Sequence, residues 1–165
     1  AKKIFNLKYN QLEILIHPSS YLHAIVKFNN GLSKLLVHDT NMTIPIFNSI
    51  YFDTSKKIKS KKIDIKILNN LDLKKIDHIR FPVIKILNKM NEKDSLFETV
   101  IVSANDKLVS LFLNNKIRFI DISNFLLKIC SMGEFNKFRS IKPKNIGEIN
   151  DLADYVSLKI ETMSV

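Results

Sequence analysis

Glu13-Ile14-Leu15-Ile16-His17-Pro18-Ser19-Ser20-Tyr21-Leu22-His23-Ala24-Ile25-Val26-Lys27-Phe28-Asn29-Asn30-Gly31 has the pattern of two strands parted by a proline break and closed by a turn. Leu12, Ile14 and Ile16 alternate with Glu13 and Leu15, the period of a partly buried strand. Pro18, Ser19 and Ser20 interrupt it, and Leu22 to Phe28 again has strand character. Asn29-Asn30-Gly31 is a hairpin turn, because Asn and Gly accept positive φ. Leu32 to Val37 is then the returning strand. Asn41 or Thr43 caps a short helix bearing Ile46, Phe47 and Ile50, with Pro45 tolerated in its first turn.

Downstream the period changes. Lys56, Lys57, Lys59, Lys61 and Lys62 form a like-charge run that repels itself and reads as a solvated linker. Residues 63–68 suit one more strand. From about residue 80 the spacing is helical. Pro82 starts a helix through Val83, Ile86, Leu87 and Met90. A second helix runs from Leu96 through Val100, Ala104, Leu108 and Leu111 and ends at Asn114-Asn115. Asp121 or Ser123 caps a third through Phe125, Leu126 and Ile129, stopped near Gly133. The last carries Ile149, Leu152, Val156, Ile160 and Met163. The expected class is α+β: a β-hairpin and helix, a basic connection, then a bundle of about four helices.

Composition excludes several functions. The chain has 165 residues, enough for a real core. One cysteine, Cys130, excludes a disulfide framework and a cysteine-based zinc site. Three glycines leave no phosphate-cradling loop. No apolar run reaches membrane-span length and no signal-peptide layout is present, so a soluble, intracellular chain without a membrane partner is expected. The net charge is +10, but Lys outnumbers Arg 23 to 3, which fits A/T-rich codon drift better than selection for nucleic acid. The chain opens at Ala1 without an initiator Met, as though cut from a longer polypeptide.

Three polar groupings are candidate sites. His17 and His23, six apart around Pro18, are ligands or proton-transfer groups on one reading and structural histidines on the other. Asp39-Thr40-Asn41-Met42, leading into a helix N-terminus, is a ligand edge or a simple cap. Ser103-Ala104-Asn105-Asp106-Lys107 lines a site or bonds across the bundle, the structural role being favoured. His38 and His78 are isolated in the sequence. No carboxylate cluster has metal-ligand spacing.

The block Glu13-Ile14-Leu15-Ile16-His17-Pro18-Ser19-Ser20-Tyr21-Leu22-His23-Ala24-Ile25-Val26, with Asn30-Gly31-Leu32 and Thr40-Asn41-Met42-Thr43-Ile44-Pro45-Ile46, closely resembles the 1-deoxy-D-xylulose 5-phosphate reductoisomerase family. That family reads E-V-L-I-H-P-Q-S-x-I-H-S-M-V, D-G-S and P-D-M-x-x-P-I without gaps. The likeness resumes at Asp64, Arg80-Phe81-Pro82, Ser103 to Asp106, Phe112-Leu113, Ile117-Arg118-Phe119 and Asp121-Ile122. H-P-x-S-x-x-H is its most specific part.

The resemblance implies an enzyme that converts 1-deoxy-D-xylulose 5-phosphate into 2-C-methyl-D-erythritol 4-phosphate, for isoprenoid precursors, with NADPH and Mg2+ or Mn2+. It implies a cytoplasmic or plastid-type location, a homodimer, and a subunit about two and a half times longer than this chain. Residues 1–52 would be the last part of the central catalytic and dimerisation domain, 53–75 the connection and 76–165 the bundle. The dinucleotide domain, metal carboxylates and active-site flap would precede residue 1. His23 matches an active-site-proximal histidine. Ser20 and Met42 fall at substrate-binding positions, and Thr40, Asn41 and Met42 at the cofactor edge. Thr40 stands for the family's Pro, Asn41 for Asp, Ser19 for Gln, Asp106 for Glu, and Tyr51-Phe52-Asp53-Thr54 for W-P-x-R. The rival readings are a non-catalytic relic or interaction module, and a basic nucleic-acid-binding domain.

Overall fold

The computed structural model describes residues 1–53 and 55–163. Thr54 and the last two positions of the expected bundle lie outside them. The fold is α+β, in two compact units: Glu13–Ile76, and Ala1–Leu12 with Asp77–Val165.

In the first unit, strands β2 (Leu22–Lys27) and β3 (Ser33–Val37) form the antiparallel hairpin, with Ile25 opposite Leu35. Gly31 at the turn has φ +88°, a conformation that glycine adopts without strain. The register slips between Leu22 and Ala24, making His23 the extra residue of a bulge. Apolar side chains stand exposed on both faces of this hairpin, Val26 at 48% on one and Leu35 at 45% on the other. The first expected strand is shorter than its pattern: only β1 (Leu15–Ile16) pairs, with β4 (Lys74–Lys75). β4 has no apolar alternation, so nothing in its sequence marks it.

Helix α1 (Thr43–Ile50) follows β3, and the Asn41 carboxamide oxygen accepts from Thr43 N–H at 2.9 Å. The Lys56–Lys62 run is irregular and largely exposed. The strand expected over 63–68 is instead helix α2 (Ile65–Asn69). Asp64 caps it, accepting from Lys66 N–H at 2.9 Å and Ile67 N–H at 3.2 Å. That cap outweighs the β preference of alternating isoleucines.

The second unit is the bundle. A 3-10 helix (Pro82–Lys89) buries Ile86. It precedes α3 (Leu96–Leu113), α4 (Phe119–Ile129), the short α5 (Gly133–Asn136) and α6 (Ile146–Met163). On α3, Leu96, Phe97, Val100, Ala104, Leu108 and Leu111 are buried at spacings of one, three and four, forming one stripe. They pack with Leu126 and Ile129 of α4, Phe135 of α5, and Leu152, Val156 and Ile160 of α6. Burying each such large side chain contributes about 1.5–3 kcal/mol. Cys130 is buried among them, and that burial pushes its thiol pKa up. Ala1–Leu12 join this unit through Lys2 on Glu92, Lys3 on Asp94 at 3.2 Å, and Tyr9 N–H on Glu92 at 3.0 Å.

Two expected helix ends move. α4 starts at Phe119, before Asp121 and Ser123. The Asp121 carboxylate folds back to accept from Arg118 N–H and its guanidinium, each at 3.0 Å. Gly133 does not follow α4 directly but opens α5. At α3, the Ser95 hydroxyl accepts from Phe97 N–H, while Glu98 accepts from Ser95 N–H at 2.9 Å. This reciprocal box satisfies helix-end donors. Ser95→Ala should therefore destabilise the protein by about 1 kcal/mol, read from urea unfolding midpoints at constant slope.

Candidate functional site

The candidate residues lie in the first unit, on the β1–β2 connection and at the open end of the hairpin. Pro18 ends β1, and the chain reverses through Ser20, whose N–H donates to the His17 carbonyl at 3.0 Å. Ser20 has φ +51°, the left-handed region. For a residue with a Cβ this costs about 1–2 kcal/mol and persists only where surroundings enforce it. Ser19 Oγ and His17 Nε2 are 2.9 Å apart. His17 Nδ1 is buried without a hydrogen-bond partner among the described residues.

Tyr21 is buried and anchors the next segment. Its hydroxyl oxygen accepts from Asp64 N–H at 3.3 Å, and its carbonyl accepts from His38 N–H at 3.2 Å. This tie carries the pairing past the bulge and puts His38 beside His23. The two imidazoles stack with centroids 3.6 Å apart and planes 5° from parallel. His23 Nε2 lies 3.4 Å from the His38 carbonyl oxygen, and His38 Nδ1 contacts the Asp39 carbonyl. The Asp39 carboxylate accepts from Lys61 N–H at 3.1 Å. Thr40, Asn41 and Met42 follow at once, all exposed, with Met42 at 60%.

Among the sequence-selected residues the structure thus describes a turn at Ser20, a bulged and exposed His23, and an exposed Thr40–Met42 edge ahead of α1. His38 was missed as isolated. Hairpin counting from the turn places His23 opposite Val37, and only the one-residue slip at the bulge brings His38 beside it. The arrangement offers an imidazole, a hydroxyl and an apolar thioether edge. Among the described residues no three of His, Cys, Asp and Glu gather to hold a metal ion. With no glycine-rich cradle either, these residues do not by themselves fit a divalent cation or a dinucleotide phosphate.

The bundle has polar features of its own. On α3, Ala104 is in the core and Lys107 bonds Glu161 of α6. Glu134 accepts from the Tyr155 hydroxyl at 2.6 Å and pairs with Lys159 at 3.0 Å, beside an open cleft of about 600 Å3. The Tyr155 hydrogen bond, then the Lys159 one, hold the Glu134 carboxyl below the usual range. A lowered native value stabilises the fold above the unfolded value, about pH 4.3, and that contribution is lost as pH falls through the native value. Glu134→Gln should therefore flatten the acid limb of a melting-temperature profile below about pH 4.3, because Gln keeps the hydrogen bond but does not titrate.

Comparison with known proteins agrees with this architecture. The family model described as DXP reductoisomerase C-terminal domain matches residues 38–159. All 165 residues align at 80% identity with 1-deoxy-D-xylulose 5-phosphate reductoisomerase of Pelagibacter ubique (strain HTCC1062), covering 42% of that protein. The Sulfurihydrogenibium enzyme of the same name is 28% identical over 86% of this chain and 38% of its own length. The Zymomonas mobilis reductoisomerase, solved in complex with NADPH, shares the fold at a TM-score of 0.81 and 21% identity, over 99% of this chain and 42% of that one. A DOX-P reductoisomerase solved with NADPH, fosmidomycin and magnesium gives 0.78 at 21% identity, over 99% and 40%. The chain therefore spans about two-fifths of the relatives it matches. With a family model matched across most of its length, the chain belongs to the 1-deoxy-D-xylulose 5-phosphate reductoisomerase family, through that family's C-terminal domain.

Proposed function

We propose that this chain is the C-terminal portion of a reductoisomerase that converts 1-deoxy-D-xylulose 5-phosphate into 2-C-methyl-D-erythritol 4-phosphate with NADPH and Mg2+ or Mn2+. The observation that carries this reading is 80% identity across every residue of the chain to an enzyme of that name. The parent is a cytoplasmic or plastid-type homodimer. Polypeptide before Ala1 supplies the dinucleotide loop, the metal carboxylates and the flap. Residues 1–52 complete the central domain, 53–75 connect, and 76–165 form the supporting bundle. The unit junction at Ile76/Asp77 supports the last boundary.

The residues here bind and orient, and no step of the metal or hydride chemistry is assigned to them. His23 faces the sugar phosphate with its imidazole, Ser20 offers a hydroxyl from a strained turn, and Met42 forms an apolar wall. Thr40, Asn41 and Met42 border the nicotinamide. The uncovered apolar hairpin supports the view that further polypeptide packs on it, since an isolated domain rarely leaves so much apolar surface in water. No helix among the described residues is long and apolar enough to cross a membrane.

The reading frame upstream of Ala1 tests this reading. It should encode a glycine-rich βαβ unit and a D-S-E carboxylate pair; a frame without both contradicts the enzyme. The biochemical counterpart places the N-terminal part of the Pelagibacter ubique relative ahead of Ala1, giving a full-length joined protein that keeps this chain intact. The 165 residues alone should show no NADPH-dependent turnover.

A further inference from the structure

The stacked imidazoles bear on how His23 is held, an inference that rests on the proposal that His23 faces the substrate. As the extra residue of a bulge, His23 has no cross-strand neighbour of its own to set its rotamer. Its exposed ring would be free to swing about two torsions. The His38 ring covers one face of it at 3.6 Å, 5° from parallel. The His38 carbonyl oxygen lies 3.4 Å from Nε2.

A carbonyl only accepts, so the proton in that contact sits on Nε2, and Nδ1 of the neutral ring is left as an acceptor. His38 is fixed in turn. Its Nδ1 contacts the Asp39 carbonyl, and its N–H donates to the carbonyl of buried Tyr21 at 3.2 Å. Support thus runs from a buried tyrosine, through the backbone and ring of His38, to an exposed histidine at a strand break.

We infer that His38 is a positioning residue for His23: its ring and carbonyl hold the His23 imidazole in one plane and one tautomer, with Nδ1 presented as an acceptor to a hydroxyl of the sugar-phosphate substrate. His38 does not touch the substrate. It acts by removing the rotational freedom that His23 would otherwise lose on binding.

The test uses the joined full-length protein and a double-mutant cycle on kcat and KM: His23→Ala, His38→Ala and both, with His38→Phe alongside. His38→Ala should lower kcat/KM about tenfold, of the size that small misplacements of a working group produce. In the His23→Ala background it should cost nothing further, since its effect runs through His23. His38→Phe restores a flat ring over His23 and should return kcat/KM to within about threefold of the parent. Imidazole 15N spectra supply a readout independent of turnover. His23 should show a single Nε2–H tautomer in the parent and averaged nitrogen shifts in His38→Ala.

Equal losses with and without His23, or His23 spectra unchanged by His38→Ala, would overturn the inference. Failure of His38→Phe to restore any activity lost in His38→Ala would overturn the stacking part of it. Unaltered kcat/KM in His23→Ala would instead overturn the substrate-facing reading of His23, and the spectra would still decide whether His38 holds its ring.

Discussion

His23→Ala in the joined protein should lower kcat/KM about a hundredfold while leaving the melting temperature within a few degrees of the parent. Removing one oriented hydrogen-bonding group from a reacting centre typically costs a factor of about 100–1,000. The stability side of the expectation comes from exposure: His23 sits on the bulge, outside the core, and its main contact is the ring of His38. Truncating it leaves no cavity. His78→Ala is the control. His78 is also an exposed histidine, but it lies in the bundle unit, and its loss should leave kcat/KM within about threefold. Steady-state kinetics with circular-dichroism melts on the same preparations separates a lost site from a lost fold.

Phe97→Ala should have the largest effect on stability, about 3–5 kcal/mol. Phe97 is 1% exposed, in the first turn of α3, where that helix enters the bundle core. Its ring also carries the Arg139 guanidinium, 4.7 Å from the centroid. Arg139 Nε is buried with no hydrogen-bond partner among the described residues, so the ring face is part of what keeps that cation in place. Truncation opens a cavity and strips the ring from one face of that cation, leaving its hydrogen bond to the Cys130 carbonyl at 3.2 Å. Against a total of about 5–15 kcal/mol for a domain, a loss of this size leaves a marginal bundle. Urea midpoints should fall steeply, and Phe97→Leu should recover more than half of the loss by refilling most of the volume.

The helical unit was the more legible in the sequence, for a physical reason. Leu96, Val100, Ala104, Leu108 and Leu111 must share one face of a regular helix to be buried together, so their spacing is written into the chain. The hairpin was legible through its turn, since Asn29-Asn30-Gly31 admits the backbone that Gly31 adopts. Where pattern failed, a local hydrogen bond decided. Asp64 turned an alternating isoleucine run into α2, and Asp121 acts from inside α4 on Arg118, so that the helix is capped three residues before Asp121. Lys74-Lys75 pair as a strand without any pattern, because that short ladder depends on backbone groups and side chains are incidental to it.

The candidate site divides in the same way. His23 and the Thr40–Met42 edge stand out by residue type beside a proline break or a helix start, and Ser20 through the family resemblance. His38 did not, because its contact with His23 depends on a one-residue slip in register, and a bulge leaves no mark in composition. Asn41 suits a cap or a ligand edge by its sequence. Its carboxamide oxygen is engaged with Thr43 N–H, which leaves the amide group to face outward.

The most direct test of the central claim is turnover by the joined protein. With 1-deoxy-D-xylulose 5-phosphate, NADPH and magnesium, it should oxidise NADPH at a kcat/KM within about tenfold of the Pelagibacter ubique parent, as 80% identity through the exchanged portion leads one to expect. A joined protein that folds with the circular-dichroism spectrum and melting temperature of the parent, yet turns over no substrate, would contradict the claim that this chain supplies a working wall of the reductoisomerase pocket.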